Sequence, residues 1–222
     1  MAVILINPNS TATMTETMLA AARRAVPDRV VEGWTSLDGP PAIQGAEDGE
    51  RATGPLMRLV QKADGAEALV IGCFDDTALA AAVRMAPCPV IGIGQAAFHL
   101  CALRGWRFAV VTTLSVSVPV IEGNIARYGL VGACAGVRAS DVPVLALEER
   151  PHDAAAAIRA EAEAAYRDDG IDALILGCAG MSRITQEVRA ILPIPVIDPI
   201  EAAMGCIGWL SDHAAQPAPR NR

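Results

Sequence analysis

Two cysteines in this 222-residue chain are placed for proton transfer. Cys73 ends the run Ala68-Leu-Val-Ile-Gly-Cys73, and Cys178 ends Ala173-Leu-Ile-Leu-Gly-Cys178, a shift of 105 residues. Each follows an aliphatic run with the character of a buried strand and precedes a helical stretch. A thiol with an ordinary pKa near ~8.5 supplies a few per cent thiolate at neutral pH, and a helix N-terminus raises that share. Asp75-Asp76-Thr77 is expected to cap one such helix and Ser182 the other. Two thiols facing a common centre from opposite sides suit racemisation: a thiolate removes a proton from one face and a thiol returns one to the other. Such groups titrate as a pair. Cys88, Cys101, Cys134 and Cys206 lack a repeat partner at a strand tip and read as small hydrophobes. No CxxC occurs, and His99, His152 and His213 are not spaced as metal ligands, so no metal site is expected.

The same shift organises the rest of the chain. Val3-Ile-Leu-Ile-Asn-Pro-Asn9 overlays Phe108-Ala-Val-Val-Thr-Thr-Leu114, Val83-Arg84 pairs with Val188-Arg189, and Pro89–Ala97 matches Pro195–Ala203 at a shift of 106. The chain therefore reads as two copies of one α/β unit. In the first, strands are expected at Val3–Asn7, Val30–Thr35, Ala68–Gly72 and Val90–Gly92, with helices at Thr13–Ala25, Glu47–Ala63 and Thr77–Met85. In the second, strands are expected at Phe108–Thr112, near Val142–Leu147, and at Ala173–Gly177 and Val196–Asp198. Its helices are placed at Pro119–Tyr128, Asp153–Asp168 and Ser182–Ile191. Near-continuous aliphatic strands alternating with helices imply parallel sheets covered on both faces. Gln95–Arg104 and Glu201–Ser211 are expected to close each unit and cross between them. The lobes are drawn as 1–97 plus 205–222 and 98–204, and the tail from Gln216 is expected to fray. Sites in open α/β sheets form beyond the carboxyl ends of the strands, so two facing units share one cleft.

Composition narrows the partners. Apolar residues make up 52% and aromatics 4%, which leaves a core of Ala, Val, Ile and Leu. A net charge of −7 without a Lys/Arg cluster argues against nucleic acid. The apolar start Met1–Ile6 is too short for a signal sequence and no 18-residue apolar stretch occurs, so a cytoplasmic protein that avoids membranes is expected.

The tips Gly72-Cys-Phe-Asp-Asp76 and Gly177-Cys-Ala-Gly-Met181, with Asn7-Pro-Asn-Ser-Thr11, resemble the hydantoin racemase branch of the aspartate/glutamate racemase superfamily. Gly39-Pro40 followed by Ile43, Thr112-Thr113 and Pro143–Glu148 extend the resemblance to about residues 2–210. It implies two pseudo-symmetric flavodoxin-like lobes, an active site between them, catalytic Cys73 and Cys178, no cofactor, a small-molecule substrate and a homo-oligomer. The amino-acid racemases of the superfamily carry an Asp-Ser tip and Gly-Cys-Thr-His. This chain has Asn-Pro-Asn and Gly-Cys-Ala-Gly-Met instead, a neutral, amide-rich setting suited to an uncharged ring. Where the family often has Arg, the cleft rim carries Val116.

The supporting residues follow from position. Asn9 and Ser10 stand at the first strand's tip, ready for a ring carbonyl or N–H, with Asn7 bracing the loop; turn formation and N-capping are the plainer roles. Thr112 and Thr113 are the repeat mates of Asn7 and Pro8. The N–H groups of Phe74 and Ala179 are candidate donors to a developing enolate oxygen, and Gly180 lets the chain approach the ring. Asp75 and Asp76 read as caps rather than proton carriers, with Asp75 counted among the residues facing substrate. His99 reads as a core or interface histidine. Allantoin racemisation is the nearest alternative. Aspartate or glutamate racemases, arylmalonate decarboxylases, maleate isomerase-like enzymes and a solute-binding module are more distant ones.

Overall fold

The computed structural model describes residues 1–214, with side chains through Ser211; the tail from Gln216 lies outside the described residues. Two four-stranded sheets carry the fold. The first is built from β1 (Val3–Asn7), β2 (Val31–Thr35), β3 (Ala68–Ile71) and β4 (Val90–Gly92), in the order β2-β1-β3-β4. The second is built from β5 (Phe108–Thr112), β6 (Cys134–Ala139), β7 (Ala173–Leu176) and β8 (Val196–Ile197), in the equivalent order β6-β5-β7-β8. All pairs are parallel, and the repeat extends to register: Val3 lies opposite Ala68 as Phe108 lies opposite Ala173.

Alternation along the strands sorts the core into layers. Val3, Leu5, Ala68 and Val70 point to one cluster, while Ile4, Ile6, Leu69 and Ile71 point to another. In the second sheet Phe108, Val110, Ala173 and Ile175 join the first of those clusters, and Ala109, Val111, Leu174 and Leu176 form a third. The shared cluster therefore lies between the sheets, in contact with α1 (Ala12–Ala25), α4 (Ile93–Leu103), α5 (Val118–Arg127) and α9 (Pro199–Ala214). The outer faces are covered by α2 (Ala46–Lys62) and α3 (Leu79–Met85) on one side. On the other lie α6 (Ala146–Glu149), α7 (Pro151–Asp168) and α8 (Thr185–Ile191). The closing segments do cross: α4 also packs on β7, while α9 packs on α1 and β3. The boundaries 97/98 and 204/205 fall inside these two helices.

Three expectations need correction. The second strand of the second unit is β6, not Val142–Leu147. All six β6 residues are half-buried, because it is an edge strand, and its sequence Cys-Ala-Gly-Val-Arg-Ala has no aliphatic run to betray it. The apolar run that follows folds over the strand tips instead, with Val142 and Leu147 in the outer core and Val144 above the cleft. The helix expected from Thr77 begins at Leu79, with no side-chain cap. Asp76 and Ala78 adopt left-handed backbone (φ 48° and 53°), which costs energy for residues with a Cβ. That turn sends the Asp76 carboxylate to the start of α4, where it accepts from Gly94 N–H at 3.1 Å. Ser182 caps nothing either: it is buried within a 3-10 turn, Ala179–Arg183, that precedes α8.

Candidate active site

The glycines before the cysteines explain how the tips are shaped. Gly72 and Gly177 continue the inward-facing parity of β3 and β7. A Cβ on Gly72 would stand 2.8 Å from Met18 Sδ, and one on Gly177 2.8 Å from Val110 Cγ1 and 3.0 Å from the Val111 carbonyl. A bare backbone lets the chain leave each strand without displacing these neighbours, and the turn that follows brings Cys73 and Cys178 into one cleft of about 450 Å³, its open mouth included. Each tip is steadied by the opposite repeat. From α5, Asn124 Nδ2 donates to the Asp75 carbonyl (2.8 Å), and Tyr128, at its C-terminal end, donates to Asp76 Oδ2 (2.8 Å). From the first repeat, α1 packs on the turn after Cys178.

Asn9, Phe74, Asp75, Thr112, Thr113, Ala179 and Gly180, all read from the sequence as substrate-facing, line this cleft. Ser10 does not: its N–H is engaged by the Pro40 carbonyl (2.9 Å), in the loop that roofs the site. Asn7 is the brace, donating from Nδ2 to Asn9 Oδ1, the Thr11 carbonyl and Thr15 Oγ1. Asn9 Oδ1 also accepts from Thr11 N–H, whereas Asn9 Nδ2 meets only the soft sulfur of Met14 at 3.4 Å. Its amide N–H groups are therefore the weakly committed end. Thr112 Oγ1 is spent on the Gly177 carbonyl (3.1 Å), joining the second strand tip to the cysteine turn. Phe74 anchors its tip by packing edge-on against Phe98, with centroids 5.3 Å apart.

The apolar wall was not identified from the sequence, although Ile43 and the segment holding Val144 were among the residues that carried the family resemblance. Met14 and Met18 come from α1, Ile43 from the loop before α2 and Val144 from the turn before α6. Two of these loops meet above the cysteines: Val144 N–H donates to Gln44 Oε1 at 3.0 Å, and Met14, Ala42 and Val144 pack together beside Cys178. Val116 is 56% exposed and outside the lining. Arg183 faces outward, paired with Glu148 at 3.0 Å. His99 contacts the Gln95 carbonyl and the Tyr128 ring, away from the cleft.

Burial dominates the electrostatics, against the expectation of depressed thiol pKa values. Desolvation pushes Cys178 up to about 11, and nearby Asp75 adds to it, while the N–H groups of Gly180 and Met181 pull the other way. Cys73 is pushed higher still, by burial first, then by Asp75 and by the charge on Cys178, against hydrogen bonds from Thr77 and the Asp75 N–H. The short turns after each cysteine present a few N–H groups rather than a full helix dipole, and that does not offset loss of water. Burial likewise raises Asp75 to about 7. The lining includes no Lys, Arg or His. Among the described residues no group of His, Cys, Asp and Glu is arranged to hold a metal ion, and no helix is long and apolar enough to cross a membrane.

Comparison with known proteins agrees with this architecture. The Asp/Glu/Hydantoin racemase family model matches residues 3–207. A hydantoin racemase from Rhizobium meliloti is 43% identical over 203 residues, covering 90% of this chain and 84% of the relative. An allantoin racemase from Klebsiella pneumoniae superposes with a TM-score of 0.92 at 33% identity, covering all of this chain and 94% of that one. An allantoin racemase from Pseudomonas fluorescens gives 0.91 at 31% identity, covering 100% and 99%. With this match along its length and the same fold, the chain belongs to the Asp/Glu/hydantoin racemase family and is an isomerase.

Proposed function

We propose that this enzyme racemises 5-substituted hydantoins by a two-base mechanism in which Cys73 and Cys178 exchange roles. The observation that carries the reading is the convergence of two repeat-related cysteines on one cleft. The thiolate of one takes the C5 proton, the electron pair moves onto the adjacent carbonyl oxygen, and the thiol of the other protonates C5 from the opposite face. A thiol held near 11 is rarely ionised at pH 8, about one molecule in a thousand. The thiolate that does form is the stronger base, and its charge discourages ionisation of its partner. One thiolate facing one thiol is thus the favoured ionised state. Asn9 Nδ2, Thr113 and the N–H groups of Phe74, Ala179 and Gly180 are the proposed ring contacts. The wall of Met14, Ile43 and Val144 takes the C5 substituent, which favours an alkyl or aromatic group. Allantoin, with a polar ureido substituent, is the second reading, favoured by the two allantoin racemases that superpose over the full chain. The proposal includes a homo-oligomer in the cytoplasm, acting without cofactor or metal.

Single enantiomers of 5-isobutyl- and 5-benzylhydantoin and of allantoin in D2O provide the test, with C5–H loss followed by NMR and rotation by polarimetry. Both signals are expected to decay from either hand above the spontaneous rate, and the faster ring names the substrate. Cys73→Ser and Cys178→Ser should each lower racemisation by about 10³-fold or more, since a hydroxyl is a far weaker acid and base at neutral pH. Each should also retain more C5 exchange than inversion for the enantiomer whose base remains. Racemisation surviving both substitutions would exclude the two-base reading.

A further inference from the structure

Asp75 carries a buried carboxyl oxygen that no protein group satisfies. That oxygen, Oδ2, has no hydrogen-bond partner, and the residue lines the same cleft as Cys73 and Cys178. The main chain around it is held on both sides, since the Asp75 N–H serves the Cys73 sulfur and its carbonyl accepts from Asn124. A buried polar atom left unpaired calls for a partner, and at the cleft lining a bound ring can supply one. Resting on the cyclic-ureide reading, we propose that Asp75 acts as a neutral carboxylic acid that binds the amide edge of the ring. Its O–H donates to the carbonyl next to C5, and its second oxygen accepts from the adjoining ring N–H.

The chemistry requires a donor at that position. When the C5–H bond breaks and an S–H bond forms, the electron pair passes to the neighbouring carbonyl oxygen. A carboxylic acid kept neutral by its surroundings stabilises that charge by hydrogen bonding, without transferring its proton. The opposite S–H bond then breaks as its proton joins C5. The surroundings favour the neutral form. The titratable groups coupled to Asp75 are Cys73 and Asp76 on its own tip and Cys178 across the cleft, while the Tyr128 hydroxyl is committed to Asp76. Glu148 of α6 acts on Cys178 from behind. The other elements contribute Met14, Met18, Ile43, Thr113 and Val144, which do not titrate, and no cation.

This assignment has an unusual kinetic signature. The acid, near 7, must stay protonated while a base near 11 is ionised, so the active form is a minor tautomer of the singly ionised site. For such a pair kcat/KM rises with pH only until the first proton is lost and is flat beyond it. Wild type should therefore climb to about pH 7 and level off. Asp75→Asn keeps a donor and an acceptor without titrating, so its kcat/KM should go on climbing about tenfold per pH unit through pH 9. Asp75→Leu, which has neither group, should lose about 10²- to 10³-fold at pH 7. C5 exchange by wild type is measured first, and its absence for every ureide would count against the cyclic-ureide reading itself. Given wild-type exchange, an Asp75→Leu enzyme within threefold of wild type would overturn the role of Asp75. So would an Asp75→Asn profile that levels off where wild type does. Should Asp75→Leu fail to fold, the Asp75→Asn profile decides alone.

Discussion

At Asp75 the same lack of water that shapes the proposed chemistry also taxes the fold. Burial raises its carboxyl from the ordinary value near 4 to about 7. Between those pH values the folded chain holds a proton that the unfolded chain has released, so stability falls as pH rises through the window and stays lower above it. Asp75→Asn removes this term and leaves the similarly raised Asp76 in place. Its melting temperature relative to wild type should therefore be higher at pH 8 than at pH 4.5. The expected change is several degrees, given about 1–3 kcal/mol and about 2–4 °C per kcal/mol in a chain of this size. Thermal melts of the two proteins at both pH values check it, and a difference that does not vary with pH would mean that Asp75 is ionised in the fold like a surface carboxylate.

Among the elements, the strand-to-turn junctions before the cysteines leave little room for a side chain. Gly72 and Gly177 are repeat mates, yet their surroundings differ in a way that ranks them. The closest neighbour of a Cβ on Gly72 is the flexible end of Met18, although the Ile6 carbonyl stands 3.1 Å away. A Cβ on Gly177 meets β5 itself, with the Val111 carbonyl at 3.0 Å and Thr112 Cα at 3.1 Å. Overpacking of this kind costs about 1–3 kcal/mol where the neighbours cannot give. Gly177→Ala should therefore destabilise more than Gly72→Ala in urea titrations, and it should also slow turnover more, by displacing Cys178. Equal effects would show that the two junctions relax equally well. The edge strand β6 obeys a different rule. Besides its pairing with β5 and the packing of Cys134, Val137 and Ala135 on the two cores, it is tied down by Arg138, which reaches both Glu161 and Asp169 of the α7 region (2.9 and 2.6 Å).

Across the whole molecule, one core serves both sheets. Phe98 of α4 is fully buried, stacked on Phe108 of the second sheet at 5.8 Å and edge-on to Phe74 beside Cys73 at 5.3 Å. With α4 and α9 each reaching across, the two repeats should unfold together in a single transition. Phe98→Ala should cost about 3–5 kcal/mol while preserving that single transition. Denaturation followed by calorimetry and by tryptophan fluorescence tests this: Trp34 reports on the first sheet, and Trp106 lies beside the second. Two separated transitions in the wild type would mean that the repeats are energetically independent.

The sequence by itself determined the repeat, the parallel sheets and the two cysteines, because buried strands write themselves as aliphatic runs and a repeat states them twice. Seven of the eight strands lie where the sequence placed them. It could not place β6, whose small residues and one Arg carry no apolar run, and the nearby apolar stretch 142–147 belonged to the outer core and the cleft roof instead. The cysteine-bearing tips were legible from local pattern, and so were Asn9, Thr112 and Thr113. That Met14, Met18, Ile43 and Val144 form a wall was not, because they come from one helix and two distant loops that only folding makes neighbours. Nor could spacing reveal the sign of the thiol shifts. A strand tip beside a helix suggests stabilised thiolate, but the loss of water on closing one lobe over the other outweighs a few N–H groups. Which groups share a dry space, and how many partners each finds there, is decided in three dimensions.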